Sequence, residues 1–181
     1  MLRVLLVDDE PFILQGLKIL VDWNEEGFEI AGTASDGQEA LDFLQLNQVD
    51  LIITDIKMPG MGGLELLEKI RKEKLSEAYF VILSGYAEFS YAQKAMQYEC
   101  SNYMLKPIEK EQLIKILRSV RTMNEDMKKS LQKSQKMERA YLARNMISLI
   151  LGKFDDANLE CIKEHMTFSK SVRYIEIELD E

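Results

Sequence analysis

Short and nearly uninterrupted runs of apolar residues recur at regular intervals through the first two thirds of the chain. Their length and their content of β-branched and aromatic residues predict five β-strands: Arg3–Val7, Phe28–Ala34, Leu51–Thr54, Phe80–Leu83 and Asn102–Leu105. The first, third and fourth runs are almost continuous Val, Ile and Leu, which is typical of strands buried on both faces of a parallel sheet.

Amphipathic segments with the three- and four-residue spacing of a helix follow each of these runs. They predict five helices: Pro11–Val21, Gly37–Leu46, Leu64–Lys72, Phe89–Tyr98 and Lys110–Val120. Asp36 stands before the second helix as a predicted N-cap. Five strand–helix units in succession predict a doubly wound α/β domain, a three-layer sandwich that occupies residues 1–121.

The character of the chain changes after residue 121. Met123–Leu151 contains neither Gly nor Pro and predicts one long helix, with Gly152 as its C-terminal stop. A weak heptad spacing that includes Met127 and Leu131 leaves two interpretations open. The helix is either a solvated connector that extends the last helix of the domain or a short coiled coil that dimerises.

The last part of the chain predicts a further domain. The end of the long helix is too apolar to be exposed, and Arg173–Leu179 alternates like a strand. We therefore divide the chain into three parts: a domain at 1–121, a linker helix at 122–151, and the truncated start of a following domain at 152–181.

Composition and charge narrow the class of protein. The hydrophobic share of 46% and the charged share of 30% are those of a globular protein. The net charge of −8 disfavours nucleic-acid binding by these residues themselves, because neutralising phosphates requires Lys and Arg. Cys100 and Cys161 form no CxxC pair and indicate ordinary thiols of a reducing compartment. Because no signal peptide or membrane span is apparent, we expect a cytoplasmic protein.

Polar residues of complementary chemistry end four of the predicted strands. Asp8 and Asp9 end the first strand, Asp55 the third, Ser84 the fourth and Lys106 the fifth. Ligands of open parallel α/β sheets bind at the carboxyl ends of the strands. We therefore expect these side chains to converge on one edge of the sheet.

Three converging carboxylates require a cation. Mg²⁺ takes oxygen ligands and typically uses one or two carboxylates together with water and phosphate. A lysine adds a second positive charge, and a phosphoryl group is the natural partner of both. Since a carboxylate can itself be the nucleophile, the set predicts an aspartyl phosphate.

Simpler structural roles are also compatible with single members of the set. Asp8 and Asp9 could cap the first helix and favour its dipole, and Asp55 alone could cap the turn before Pro59. Glu10 is interpreted as a helix-end acid. His165, the only histidine, lies outside the set and is interpreted as a surface residue.

Four motifs, DDEP, DIKMPGMGG, SGY and YMLKP, occur in this order at the strand ends. Together they closely resemble the receiver domain of bacterial two-component response regulators, over about residues 1–121. The resemblance implies a flavodoxin-like, CheY-like fold with the strand order 2-1-3-4-5. It further implies a signalling phosphoacceptor rather than a conventional enzyme, with Mg²⁺ as cofactor.

The resemblance implies a role for each residue of the phosphate and metal site. Asp55 would be the phosphoacceptor, and Lys106 would pair with the phosphoryl group. Asp9 would bind Mg²⁺ directly and Asp8 largely through water, while the backbone carbonyl of Lys57 would be a further ligand.

The resemblance also implies switch residues and structural residues. Ser84 matches the switch hydroxyl, and Tyr103 matches the aromatic residue whose rotamer reports activation. Pro59 and Pro107 match structural prolines, and Pro107 would follow a cis peptide bond.

Three positions depart from the family pattern. Gly62 stands where Asp is common, so a helix N-cap is lost. Glu99 stands where Gly is usual, which costs about 1 kcal/mol if that residue requires φ > 0. Ser84 replaces the commoner Thr.

The expected partner is a sensor histidine kinase. The segments WNEEGFEI and SGYAEFSYA are similar to receivers of AraC-type transcriptional regulators, whose DNA-binding domain would lie outside this chain. A homodimer would form through the face of the fourth helix, fifth strand and fifth helix, or through the linker helix.

A phosphorelay receiver without DNA output is the alternative to a transcriptional regulator. A Mg²⁺-dependent phosphatase is disfavoured, because Lys57 stands where such enzymes usually have a second Asp.

Overall fold

Five strands form one sheet in the computed structural model, which describes residues 1–85, 89–153, 155–157 and 160–161. The strands are β1 (Leu2–Val7), β2 (Phe28–Ala34), β3 (Leu51–Asp55), β4 (Tyr79–Ser84) and β5 (Asn102–Leu105). They are parallel and lie in the order β2-β1-β3-β4-β5. The predicted fold and strand order are confirmed.

Five helices alternate with the strands. They are α1 (Pro11–Leu20), α2 (Gly37–Leu46), α3 (Gly63–Lys72), α4 (Phe89–Gln97) and α5 (Lys110–Ile150). The fifth helix of the domain and the predicted linker helix form one continuous element, because no Gly or Pro interrupts residues 110–150. The predicted long C-terminal helix is confirmed, and it continues the last helix of the domain without a break.

Alternate residues of the central strands enter two different cores, one on each face of the sheet. Leu5 and Val7 of β1 lie in the core beneath α2, α3 and α4. Val4 and Leu6 lie in the core beneath α1 and α5. The fifth helix supplies three fully buried side chains to this second core: Leu113, Leu117 and Val120. The first part of α5 is therefore integral to the domain.

The ends of the helices follow local chemistry. Asp36 caps α2, since its Oδ1 accepts the Glu39 N–H at 2.8 Å, as predicted. The residues after α3, α4 and α5 have positive φ: Lys74 at 52°, Glu99 at 58° and Gly152 at 67°. Gly152 thus ends α5, as predicted. Glu99, which stands where the family usually has Gly, adopts the left-handed conformation.

The N-terminus of α3 has lost its side-chain cap, as expected from Gly62. Only half of a capping arrangement remains, in which the Glu65 carboxylate accepts the Gly62 N–H at 3.2 Å. A Cβ at residue 62 would lie 2.7 Å from the backbone oxygen of Ile56. Replacing Gly62 by Asp would therefore require the loop to shift.

The chain divides into two units, Met1–Asn124 and Glu125–Glu181. Residues 125–141 of α5 are exposed, including Met127 and Leu131. In the second unit, the buried Asn145 donates from Nδ2 to the Cys161 sulfur at 3.2 Å.

The predicted strand Arg173–Leu179 and the predicted surface residue His165 lie outside the described residues. No helix in the described part of the chain has the length and apolarity to cross a membrane.

Candidate functional site

The carboxyl ends of four strands bring most of the predicted site residues to one edge of the sheet. Asp8 follows β1, Asp55 ends β3, Ser84 ends β4 and Lys106 follows β5. Asp8, Asp55 and Ser84 are buried, and Lys106 is half-buried. Asp9 is exposed at the same strand end.

Lys106 lies between two carboxylates from different strands. Its Nζ is 2.9 Å from Asp8 Oδ2 and 2.5 Å from Asp55 Oδ1. Burial acts to lower the pKa of Lys106, but the hydrogen bonds and charges of Asp55 and Asp8 outweigh it and raise that pKa above its ordinary value. The lysine therefore stays cationic and neutralises part of the carboxylate charge.

Backbone N–H groups fix the orientation of both carboxylates. Asp8 Oδ1 accepts the N–H of Glu10, and Asp55 Oδ2 accepts the N–H of Lys57, each at 2.9 Å. One oxygen of each carboxylate thus faces its own loop and the other faces Lys106. This arrangement fixes the orientation of the Asp55 carboxylate at the sheet edge.

The helix-capping alternative for the paired acids does not describe α1. The N-cap of that helix is Glu10, whose side chain makes no capping hydrogen bond. Its backbone oxygen accepts the N–H of Ile13 at 3.0 Å. Asp8 instead faces Lys106, so its burial serves the charged cluster rather than the helix end.

The oxygen donors of the site fit a hard divalent cation in type. Asp8, Asp9 and Asp55 offer carboxylates, and Lys57 offers a backbone carbonyl. Within the described residues, no three side chains of His, Cys, Asp or Glu form a group that could hold a metal ion. Mg²⁺ does not need three, because it usually keeps several waters and uses one or two carboxylates.

The remaining predicted residues lie on β4, β5 and their loops. Ser84 is fully buried, and its backbone oxygen accepts the Lys106 N–H at 2.8 Å. Tyr103 is half-buried on β5 and pairs in register with Ile82. The Lys106–Pro107 peptide bond is cis, as the resemblance implied. Pro59 is exposed in the loop after β3.

Gly63 is a site residue that the sequence analysis missed. A Cβ at this position would lie 2.2 Å from the backbone oxygen of Asp55 and 2.8 Å from Thr54 Cγ2. The first turn of α3 can therefore approach the end of β3 only with glycine there. The pair Gly62–Gly63 in the GMGG motif was the available signal.

Comparison with known proteins identifies the family. Residues 4–118 match the model of the response regulator receiver domain. The chain belongs to the response regulator receiver family. The receiver accounts for both cores and for every residue of the site described above.

Curated relatives of this receiver include transcriptional regulators. It is 41% identical over 120 residues to the uncharacterized transcriptional regulatory protein YesN of Bacillus subtilis, covering 66% of this chain and 32% of that protein. It is 41% identical over 126 residues to the transcriptional regulatory protein HptR of Staphylococcus aureus, covering 69% of this chain and 49% of that protein. The matched part thus spans a third to a half of these relatives.

Solved receivers share the fold. The receiver domain of AraT, a response regulator from Geobacillus stearothermophilus, superposes with a TM-score of 0.64 at 38% identity, covering 70% of this chain and 98% of that one. CheY from Borrelia burgdorferi, in a complex with CheX, beryllofluoride and Mg²⁺, gives 0.60 at 26% identity, covering 66% and 88%.

Proposed function

We propose that this receiver accepts a phosphoryl group on Asp55 from the phosphohistidine of a sensor histidine kinase. The observation that carries the proposal is the contact of Asp55 Oδ1 with Lys106 Nζ at 2.5 Å, at the carboxyl end of β3. An oriented carboxylate beside a fixed cation is what an acyl-phosphate acceptor requires.

The transfer is an in-line displacement at phosphorus. A carboxylate oxygen of Asp55 forms the new O–P bond, the N–P bond to the histidine breaks, and the imidazole takes the electron pair. Lys106 then lies beside a phosphoryl group that carries a charge of about −1.5 to −2. The side chain of Lys106 can stay in contact with the phosphoryl oxygens. The Lys57 N–H, now on Asp55 Oδ2, holds the carboxylate in place during the attack.

Mg²⁺ fits this site as the second source of positive charge. Asp8, Asp9, Asp55 and the carbonyl of Lys57 would hold it, and it would neutralise phosphoryl oxygens as a Lewis acid. The relative crystallised with beryllofluoride and Mg²⁺ supports the assignment by family likeness.

The switch would use the residues next to the phosphoryl group. Ser84 would donate its hydroxyl to a phosphoryl oxygen, and Tyr103 would change its degree of burial. The face formed by α4, β5 and α5 would then present a different surface, because charge at the strand end biases a two-state element.

The output would be transcriptional, through an AraC-type DNA-binding domain outside this chain. The relatives YesN and HptR are named transcriptional regulatory proteins, which supports a transcriptional output, and the match covers only part of each. The AraC type of the DNA-binding domain rests on the sequence resemblance. Dimerisation would occur through the α4–β5–α5 face or through the exposed apolar residues of the linker helix, such as Met127 and Leu131. Sedimentation with and without beryllofluoride tests it, and an unchanged monomer excludes phosphorylation-driven dimerisation through these residues.

Acetyl phosphate provides the test of phosphorylation. The 181-residue chain should become labelled in the presence of Mg²⁺, and EDTA should prevent the labelling. Asp55→Ala should abolish it, whereas Asp126→Ala, which changes an exposed acid on α5, should leave it unchanged. Persistent labelling of the Asp55→Ala variant would refute the assignment.

A further inference from the structure

A groove of about 600 Å³ lies between the loop after β3, α3 and α4, and its lining begins at Ile56, the residue after Asp55. Six side chains with charge or an aromatic hydroxyl are among its lining residues: Lys57, Glu65, Glu68, Tyr91, Lys94 and Tyr98. Lys57 belongs both to this groove and to the site, because its N–H binds Asp55 Oδ2 at 2.9 Å. The groove is thus connected to the phosphorylation site through one residue.

The ammonium of Lys57 lies over the ring of Tyr91. Its Nζ is 5.3 Å from the ring centroid, within the distance at which a cation is attracted by an aromatic face. Tyr91 is half-buried and packs against the core beneath α2, α3 and α4, whereas Lys57 is exposed. The ring is therefore the fixed partner, and the flexible four-carbon stem of the lysine is the one that can move.

We propose that Tyr91 is a positioning residue, which holds the Lys57 ammonium in the groove until Asp55 carries a phosphoryl group. This inference rests on the proposed phosphorylation of Asp55. A charge-assisted hydrogen bond to a phosphoryl oxygen is stronger than a cation–aromatic contact at an exposed site. The phosphoryl group therefore draws the ammonium away from the ring, and the link between the β3–α3 loop and α4 is released.

The contact stabilises only the unphosphorylated form, so its removal favours the phosphorylated form. In the 181-residue chain with Mg²⁺, Tyr91→Leu should tighten the binding of beryllofluoride about two- to fivefold, measured by NMR titration. Tyr91→Phe, which keeps the ring, should bind as the wild type does.

Tyr98→Leu is the matched control for a general effect on the groove. Tyr98 also lines the groove, but its ring faces Lys72 of α3, with the Lys72 Nζ 6.0 Å from its centroid. Its replacement should leave beryllofluoride affinity unchanged, because Lys72 is not adjacent to Asp55. An equal gain in affinity from Tyr98→Leu and Tyr91→Leu would overturn the proposal.

Lys57→Met provides the second arm of a double-mutant cycle. In this background the Tyr91→Leu change should no longer affect beryllofluoride affinity, because the ammonium is absent. The same two- to fivefold change in both backgrounds would show a packing effect and overturn the proposal.

A spectroscopic signature in the wild type does not depend on whether a Tyr91 variant folds. The ε-methylene protons of Lys57, assigned with Lys57→Arg, should be shifted upfield by the Tyr91 ring and should lose this shift on saturation with beryllofluoride. A shift that persists at saturation overturns the inference. If the wild type binds no beryllofluoride and accepts no phosphoryl group, the proposed function itself fails and the inference fails with it.

Discussion

Gly63 sets the distance between the first turn of α3 and the carbonyl group of Asp55. The atom that a side chain would meet there is a backbone oxygen of β3, 2.2 Å from the position of a Cβ. Backbone in a packed sheet cannot yield as the end of a flexible side chain can. A larger residue must therefore displace either α3 or the phosphoacceptor candidate.

Replacing this glycine should damage both stability and function. Gly63→Ala should lower the free energy of unfolding by about 1–3 kcal/mol, the usual cost of overpacking, and reduce acetyl phosphate labelling of Asp55. Urea denaturation and gel-shift assays measure the two effects. Gly16→Ala is the control, because a Cβ added at this position of α1 would meet no side chain or neighbouring element within 4 Å; it should raise stability by about 0.5–1 kcal/mol. Equal stability of the two variants would contradict the close-approach argument.

At the level of helices, the same hydrogen-bond pattern ends α3 and α4 on residues other than glycine. The N–H of Leu75 binds the carbonyl of Ile70 at 3.0 Å, and the N–H of Cys100 binds that of Ala95 at 2.9 Å. The residue immediately before the N–H donor, which is Glu99 at the end of α4, must then take the left-handed conformation. The hydrogen bond that ends each helix thus outweighs the cost of a left-handed conformation at a residue other than glycine.

Glu99→Gly should relieve this cost. We expect the free energy of unfolding to rise by about 0.5–1 kcal/mol, since the relief exceeds the added freedom of the unfolded chain. Glu73→Gly, at an exposed residue with φ of −90°, should instead lower it. Thermal denaturation of both variants measures the difference, and a loss of stability in Glu99→Gly would contradict the expectation.

An ion pair joins the α1–β2 connection to α5. Arg118 donates from Nε and Nη2 to the buried Glu26 carboxylate at 2.9 and 2.8 Å, and Arg121 Nη1 donates to the Glu26 carbonyl at 3.1 Å. The hydrogen bonds from Arg118 lower the pKa of Glu26, although burial acts to raise it, and the positive charges of both arginines add to the lowering. The ionised carboxylate is therefore the form that stabilises the fold.

This pair should make stability depend on pH. Because the folded-state pKa of Glu26 is depressed, its contribution is complete above the unfolded value near 4.5 and disappears as the pH falls through the folded value. Glu26→Gln should therefore melt below the wild type at pH 7 and converge with it in strong acid. Glu25→Gln, at the exposed neighbouring position, should show little difference at either pH. Parallel melting curves across this range would show that the pair does not act in this way.

For the whole molecule, both hydrophobic cores of the described structure are built from residues between Leu2 and Val120. The free energy of unfolding of a chain of residues 1–124 should therefore lie within about 1 kcal/mol of that of the full chain. This shorter chain should accept a phosphoryl group from acetyl phosphate equally well. A chain of residues 1–110 should not fold, because it lacks Leu113, Leu117 and Val120. Replacing one such buried side chain by that of Ala typically costs about 2–5 kcal/mol. Calorimetry of both chains measures this, and an unfolded 1–124 chain would show that the receiver depends on later residues.

The sequence predicted the architecture because each element carries its own periodic pattern. Uninterrupted apolar runs such as that of β3 indicated strands buried on both faces, and the parallel order placed Asp8, Asp55 and Lys106 at one edge. Helix ends were predicted less accurately: α4 ends at Gln97 rather than Tyr98, and α3 begins at Gly63 rather than Leu64. Such boundaries depend on packing as well as on local preference.

The sequence by itself determined the alternation of strands and helices, the residues available at the strand ends and the family resemblance, because these are local patterns. Only the tertiary structure determined that Lys106 contacts both Asp8 and Asp55, that Gly63 meets a backbone oxygen, and that Tyr91 faces Lys57. It also paired Glu26 with Arg118, 92 positions later. These contacts join residues far apart in the chain, so no periodicity encodes them, and they depend on strand register and helix packing being set together.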